Sequence, residues 1–108
     1  MSPSGSPRRF SPEPVPTIGV LTLEMILQNS HSLKDKRHVV KSLKDRLRSK
    51  FNVAVAEIDY QDLWQRALVS AVTVASDRIH AEKVLQSVEE EAAALLGSEL
   101  TGATVEWL

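Results

Sequence analysis

The sequence predicts a small α+β domain with the element order strand, helix, strand, strand, helix, strand. From Thr17 onward the residues alternate between apolar and mixed positions, which is typical of a strand with one buried face. Two long amphipathic stretches follow, each preceded by a polar residue that can cap a helix. Two strand–helix–strand units in tandem match the split βαβ arrangement. We therefore expect a ferredoxin-like fold, a four-stranded antiparallel sheet with two helices on one face.

Each element has its own signal along the chain. Alternate residues from Leu21 to Leu27 form the buried face of the first strand. The first helix begins at Leu33, where Ser32 and Asp35 resemble a capping box, and it ends near residue 52. The remaining elements are expected at residues 53–60 and 66–75 as strands, 78–96 as a helix between Asp77 and Gly97, and 104–108 as the last strand.

Size and composition limit the chain to one domain. Its 108 residues, 43% of them hydrophobic, fit a single core. The absence of cysteine excludes disulfides, thiolate nucleophiles and cysteine-ligated metal centres. No apolar run approaches the roughly 20 residues of a membrane helix, and the start lacks the apolar core of a signal peptide. We therefore expect a cytoplasmic protein without a membrane partner.

The first sixteen residues differ from the rest of the chain. They contain all five prolines, mixed with serine and glycine, and such a composition buries too little apolar surface to offset the entropy of ordering. We predict a disordered extension over residues 1–16 and a single domain over residues 17–108. The alternative is a partner-binding arm through Arg8, Arg9 and Phe10.

The second face of the first strand is apolar as well. Ile18, Val20 and Ile26 point away from the predicted helices, although water would favour polar residues on that side. A second copy of the chain would cover this face, because most soluble oligomers are symmetric homodimers. We expect a homodimer, with a monomer that exposes an apolar sheet as the alternative.

Charge is unevenly distributed between the two halves of the domain. Residues 31–50 contain eight cations and two carboxylates, whereas residues 51–108 contain three cations and ten carboxylates. Most cations of the first helix fall within an arc of about 80° on a helical wheel. Cations in the first turn oppose the helix dipole, and a bound anion or phosphate backbone explains their placement. A solvated or internally paired helix face is the alternative. The residues predicted to bind an anion or nucleic acid are Lys34, Lys36, Arg37, Lys41, Lys44 and Arg48.

A second polar signature spans the turn between the two middle strands. Its charged and aromatic residues are Glu57, Asp59, Asp62, Trp64 and Arg66. Alternation places Glu57 and Asp59 on one strand face, and three nearby carboxylates suggest a metal or acid–base site. In the structural interpretation the aspartates make turn bonds, Trp64 covers the sheet edge and Arg66 pairs with a carboxylate. No histidine pair and no phosphate loop supports a metal or acid–base site. We therefore predict no catalytic residue, metal or cofactor.

The run SLKDKR at residues 32–37 and the run VAEIDYQDLWQRA at residues 55–67 resemble the YlxP-like family of small bacterial proteins, domain of unknown function 503. The resemblance covers about residues 17–108 and implies a ferredoxin-like fold in a bacterial cytoplasmic protein. It implies no activity, because none is established for the family. Members are often encoded beside genes for translation initiation and ribosome-binding factors, which suggests ribosome or RNA work by association.

We therefore expect a non-catalytic accessory protein, associated with the ribosome or RNA through its first helix. With few aromatic residues in the chain, backbone contact is favoured over base readout, and nothing signals DNA specificity. The alternative is a homodimeric interaction or regulatory module that binds an acidic partner or a small anion.

Overall fold

The computed structural model describes residues 15–60 and 63–108. Almost all of the predicted extension, and also Asp62, lie outside the described residues. The domain contains every predicted element, and a 3-10 turn over Gly97–Glu99 precedes the last strand. The elements are β1 Thr17–Ile26, α1 Leu33–Lys50, β2 Ala54–Asp59, β3 Arg66–Ala75, α2 Arg78–Leu96 and β4 Leu100–Trp107.

The four strands form one antiparallel sheet in the order β2-β3-β1-β4. β1 pairs along its whole length with β3, from Thr17 opposite Ala75 to Ile26 opposite Arg66. The other edge of β1 pairs with β4, and β2 pairs with the outer edge of β3. This topology confirms the predicted α+β fold of the ferredoxin-like type.

The core lies between the sheet and the two helices. Leu21, Leu23 and Met25 of β1 are fully buried, and the small residues Ala67 and Ala71 of β3 are buried beside them. Each buried leucine stabilises the fold by about 1.5–3 kcal/mol relative to an exposed one. The helices complete the core with Val40, Leu43, Leu47, Leu85, Val88, Ala92 and Leu96.

Trp107 closes one side of this core and requires a glycine beneath it. Gly19 lies opposite Trp107 in the β1–β4 ladder. A Cβ at Gly19 would lie 2.6 Å from Cζ3 of Trp107 and 2.8 Å from Cδ1 of Leu85. No such atom fits without movement, so Gly19 permits the close approach of the indole. The guanidinium of Arg78 stacks on that ring, 3.9 Å from its centroid.

Both helices begin at the predicted caps. The hydroxyl of Ser32 accepts a hydrogen bond from the Asp35 backbone N–H at 3.1 Å, and the Asp35 carboxylate accepts one from the His31 backbone N–H at 3.0 Å. Asp77 caps α2 by accepting from the backbone N–H of His80 at 2.8 Å. α2 ends at Gly97, whose φ of 59° lies in the region that favours glycine.

The predicted last strand was too short. It begins at Leu100 rather than at residue 104, because Leu100, Gly102 and Ala103 pair with the central strand β1. Glycine and alanine have a low strand propensity, which masked these positions in the sequence, but tertiary pairing overrides that preference. β2 is one residue shorter at each end than predicted.

Candidate nucleic-acid interface

The cations of α1 lie in three different environments. Lys36, Val40, Leu43 and Leu47 form the stripe of α1 that is buried. One flank of this stripe faces α2, and the other faces outward beside β2. The outward flank holds Lys34, Arg37, Lys41, Lys44 and Arg48, and we call this set the basic ridge.

The basic ridge lies at the surface with a single carboxylate among its cations. Lys41 pairs with Asp45 at 2.7 Å, and Arg48 pairs with the other oxygen of Asp45 at 2.8 Å. Hydrogen bonds from Lys41 and then Arg48 lower the pKa of Asp45 below its ordinary value. Within residues 15–60 and 63–108, the other three members, Lys34, Arg37 and Lys44, make no ion pair.

The ridge borders a shallow groove between α1 and β2. Arg37, Lys41, Lys44 and Arg48 line this groove with Val40 and Glu57. β2 is an edge strand, so nothing among the described residues covers the groove from outside the sheet. The side chain of Lys41 is 75% exposed. The ridge is therefore accessible to a partner along its length.

The flank that faces α2 is neutralised inside the fold. Arg46 and Lys50 each lie 3.0 Å from a different oxygen of Glu91 on α2. Hydrogen bonds from Lys50 and then Arg46 lower the pKa of Glu91. These two cations join the helices and were not among the residues predicted to bind an anion.

Lys36 is not available to an outside anion, which corrects its assignment from the sequence. Its side chain is 1% exposed and points into the fold. The ammonium donates to the carbonyl oxygens of Tyr60 at 2.5 Å and Arg66 at 3.2 Å, and it lies 3.1 Å from a carboxylate oxygen of Glu57. Two carbonyl oxygens therefore accept hydrogen bonds from the ammonium, and the Glu57 carboxylate lies within ion-pair distance of it. Lys36 ties the start of α1 to the hairpin between β2 and β3.

This contact gives the second signature a structural role. The backbone of Tyr60 has a φ of 62°, a left-handed conformation that is uncommon outside glycine. Its N–H donates to the Asp59 side chain at 2.7 Å, and its ring lies under Arg66, 4.4 Å from the guanidinium. Arg66 also pairs with Glu24 across the sheet at 2.5 Å. The predicted pairing of Arg66 with a carboxylate is confirmed. The Asp59 side chain accepts from the next residue, whereas the predicted Asx-type bond would go two residues on, to Gln61, which lies outside the described residues.

The expected shared face of Glu57 and Asp59 was wrong. A register shift lies between them, and it pairs Glu57 with Val69 but Asp59 with Leu68. Val69 faces the helices and Leu68 faces the other side of the sheet, so the two carboxylates lie on opposite faces. Such a bulge inserts an extra residue that simple alternation does not reveal. Trp64 precedes β3 and is 49% exposed.

The start of α1 already contains a carboxylate. The Asp35 carboxylate accepts from the backbone N–H of His31, and the Ser32 hydroxyl accepts from the backbone N–H of Asp35. The basic ridge, rather than the helix terminus, is therefore the candidate interface. Among the described residues no three histidine, aspartate or glutamate side chains are grouped as metal ligands, and no helix there is long and apolar enough to cross a membrane.

The fold and this surface define a small ferredoxin-like domain with a basic first helix. Residues 18–105 match the family described as Protein of unknown function (DUF503), and the chain belongs to that family. The chain is 45% identical over 71 residues to a protein of Bacillus subtilis (strain 168) named Uncharacterized protein YlxP. The match covers 66% of this chain and 77% of that protein.

Two solved structures align with most of this chain. The de novo designed protein Foldit4 gives a TM-score of 0.54 at 10% identity, with 87% of this chain and 97% of that chain covered. SnoaB, a cofactor-independent oxygenase from Streptomyces nogalater, gives a TM-score of 0.48 at 10% identity, with 85% and 90% covered. The first likeness shows the fold alone, and the second supports no statement about this chain.

Proposed function

We propose that this protein is a non-catalytic cytoplasmic accessory protein that binds RNA through the basic ridge. The observation that supports the proposal is the sorting of the cations of α1. Lys36 pairs with Glu57 next to the hairpin, and Arg46 and Lys50 both pair with Glu91. The remaining five cations share one exposed flank of α1 with Asp45, and four of them line the groove that also holds Glu57 of β2. Clustering like charges on one flank does not stabilise the fold, so a partner of opposite charge explains their position better.

The spacing of the ridge suits a phosphate backbone. Its members follow one another at intervals of three, four, three and four residues, so the cations repeat about once per helical turn. The ridge spans about 21 Å at a rise of about 1.5 Å per residue. A regular line of phosphates matches such a row, and the release of condensed counterions would supply the affinity.

The described aromatic residues favour backbone contact over base readout. The rings of Tyr60 and Trp107 lie under Arg66 and Arg78, Phe51 packs against the core, and the exposed Trp64 lies before β3 rather than on the sheet. RNA-binding domains of similar architecture stack bases on aromatic residues in the middle of the sheet. The central strands here present aliphatic and hydroxyl side chains instead.

A salt titration with matched variants tests the proposal. The probe is a fluorescein-labelled RNA duplex of 20 base pairs, with binding followed by fluorescence anisotropy. The ridge variant combines Arg37→Gln and Lys44→Gln. The control combines Arg46→Gln and Lys50→Gln, which removes the same charge from the same helix on its other flank. Circular dichroism verifies that both variants fold.

The wild-type protein should bind with a steep salt dependence. The ridge variant should lose about two phosphate contacts and lower the slope of log K against log salt by about 1.8. The control should keep the wild-type slope. Equal losses in both variants would show only a response to net charge and would contradict the proposal. Binding to polyglutamate with none to RNA would also contradict it and would indicate an acidic protein partner.

A further inference from the structure

The face of the sheet opposite the helices, which we call the open face, is apolar and exposed. Val72 is 36% exposed and Val74 is 51% exposed, and both lie on β3 at the centre of the sheet. Ile18 and Val20 are their partners on β1. Leu108 adds to the same end, because its N–H donates to the carbonyl of Ile18. Contiguous exposed patches of this kind mark interaction surfaces.

The side chains of the open face change in character along the two central strands. One end is the apolar group just described. In the middle, the hydroxyls of Thr22 and Ser70 lie 2.6 Å apart in a hydrogen bond. At the other end Glu24 of β1 pairs with Arg66 of β3, beside Ile26 and Leu68. The acidic residue thus lies on one central strand and the basic residue on the other.

This arrangement is complementary to itself under one particular symmetry. We propose that a second copy of this chain covers the open face, about a two-fold axis that runs parallel to the strands between β1 and β3. Each β1 then lies over the β3 of the partner subunit, with both chains pointing the same way along the axis. Val20 faces Val72 of the partner subunit, and Glu24 faces Leu68 of the partner subunit, with the partner's Arg66 two residues further along the same strand.

The other in-plane axis, perpendicular to the strands, fits poorly. It would place the charged end of one copy on the apolar end of the other. Glu24 and Arg66 would then lose water against valine side chains, and burial of charges without new partners is costly. The axis along the strands brings the apolar residues together and keeps Glu24 and Arg66 of both copies at one end of the interface, while Asp59 and Glu106 of the open face lie on the edge strands β2 and β4.

The dimensions of the face agree with a stable dimer. Four strands about 4.8 Å apart, with up to ten residues rising about 3.3 Å each, give a surface of roughly 19 Å by 30 Å. Its accessible area is of the order of the 800 Å² that each partner buries in a typical specific interface. Aligned sheets of this kind pack about 10 Å apart. Both helices, and therefore the basic ridge, stay on the outside.

Sedimentation equilibrium of the full chain tests the assembly. At micromolar concentration the mass should be twice 12.0 kDa. Val20→Lys, on the open face, should give a folded monomer. Ile79→Lys is the matched control, because Ile79 is an exposed apolar residue on α2, and it should remain a dimer. A full chain that stays monomeric overturns the proposal. If that monomer dimerises once residues 1–14 are removed, those residues cover the face instead, and the proposal is equally wrong.

Cross-linking tests the axis, and the lack of native cysteine makes it clean. Val20→Cys and Val72→Cys proteins are purified separately, mixed and treated with a thiol-reactive cross-linker about 10 Å long, the distance between packed sheets. They should cross-link between chains. Labelling one variant of each mixture with ¹⁵N lets mass spectrometry distinguish mixed pairs from like pairs. A mixture of Ile26→Cys and Val74→Cys should give like pairs but no mixed pair, because Ile26 and Val74 lie at opposite ends of the strands, eight residues or about 26 Å apart. The reverse result would overturn the proposed axis.

Discussion

Replacing Lys36 with methionine should destabilise the domain by about 2–4 kcal/mol. Removal of one partner from a buried ion pair costs about 3–5 kcal/mol, because the other charge stays buried without it. Lys36 is 1% exposed, but Glu57 is 17% exposed, so water relieves part of that penalty. The carbonyls of Tyr60 and Arg66 also lose a charged donor. Methionine keeps the volume of the side chain, so a cavity adds little to this estimate.

Urea unfolding, followed by far-UV circular dichroism, measures the effect. Lys34→Met is the control, because Lys34 is exposed in the same helical turn, and it should change the free energy of unfolding by less than about 0.5 kcal/mol. The double variant Lys36→Met, Glu57→Leu should be more stable than Lys36→Met alone, since it removes the buried carboxylate too. A single variant within 0.5 kcal/mol of the wild type, or strictly additive effects, would refute the reasoning.

Three further outcomes follow from the fold. Gly19→Ala should cost about 1–3 kcal/mol, measured by thermal unfolding, because its Cβ would strike the ring of Trp107. Asp77→Ala should cost about 1 kcal/mol and Asp77→Asn much less in the same measurement, because asparagine still caps a helix. The lowered pKa of Glu91 stabilises the fold above its ordinary value of 4.5, and this contribution is lost as the pH falls through the lowered value. Glu91→Gln should therefore flatten the acid limb of an unfolding-against-pH curve; an unchanged limb would show that Lys50 and Arg46 contribute nothing there.

The fold was predictable because its local signals agree with one another. The alternation of β1 and the caps at Ser32 and Asp77 reappear where the sequence placed them. Such agreement between local preference and global topology is what makes a sequence specify one fold. The start of β4 was missed because pairing with β1, and not propensity, makes Leu100 and Gly102 part of a strand.

The role of Lys36 could not be predicted from the sequence, because its contacts join segments that are distant along the chain. Its charge placed it among the residues predicted to bind an anion, yet its spacing to Val40, Leu43 and Leu47 is that of a buried stripe. The spacing was the better signal. Its partner Glu57 lies 21 residues along the chain from it, and no local pattern joins the two. For the same reason the bulge that separates Glu57 from Asp59 could not be read from alternation.

Because Lys36 has partners inside the fold, it no longer supports the binding of an outside anion at the start of α1. Three cations near the start of α1 oppose the helix dipole, and an internal partner now explains one of them. Lys34 and Arg37 remain, and both are exposed. The proposed RNA binding therefore depends on the basic ridge from Lys34 to Arg48, and not on the N-terminus of α1.

If the basic ridge binds RNA and the open face forms the dimer, the affinity should also depend on the length of the RNA. In the proposed dimer the sheets lie about 10 Å apart and each helix layer lies about 10 Å further out, which puts the two ridges on opposite sides, roughly 30 Å apart. A short duplex reaches one ridge, whereas a single strand of about 60 nucleotides can wrap around and reach both. Binding at the second ridge is then intramolecular and raises the affinity without a new contact.

The advantage of the long RNA over the short duplex should disappear in Val20→Lys and persist in Ile79→Lys. Both variants add the same charge to the same protein, so a general electrostatic effect would move them together. Anisotropy with the two RNAs, at one salt concentration, measures the ratio of affinities in each variant. An equal ratio in the two variants would mean that the ridges act singly, whatever the state of assembly.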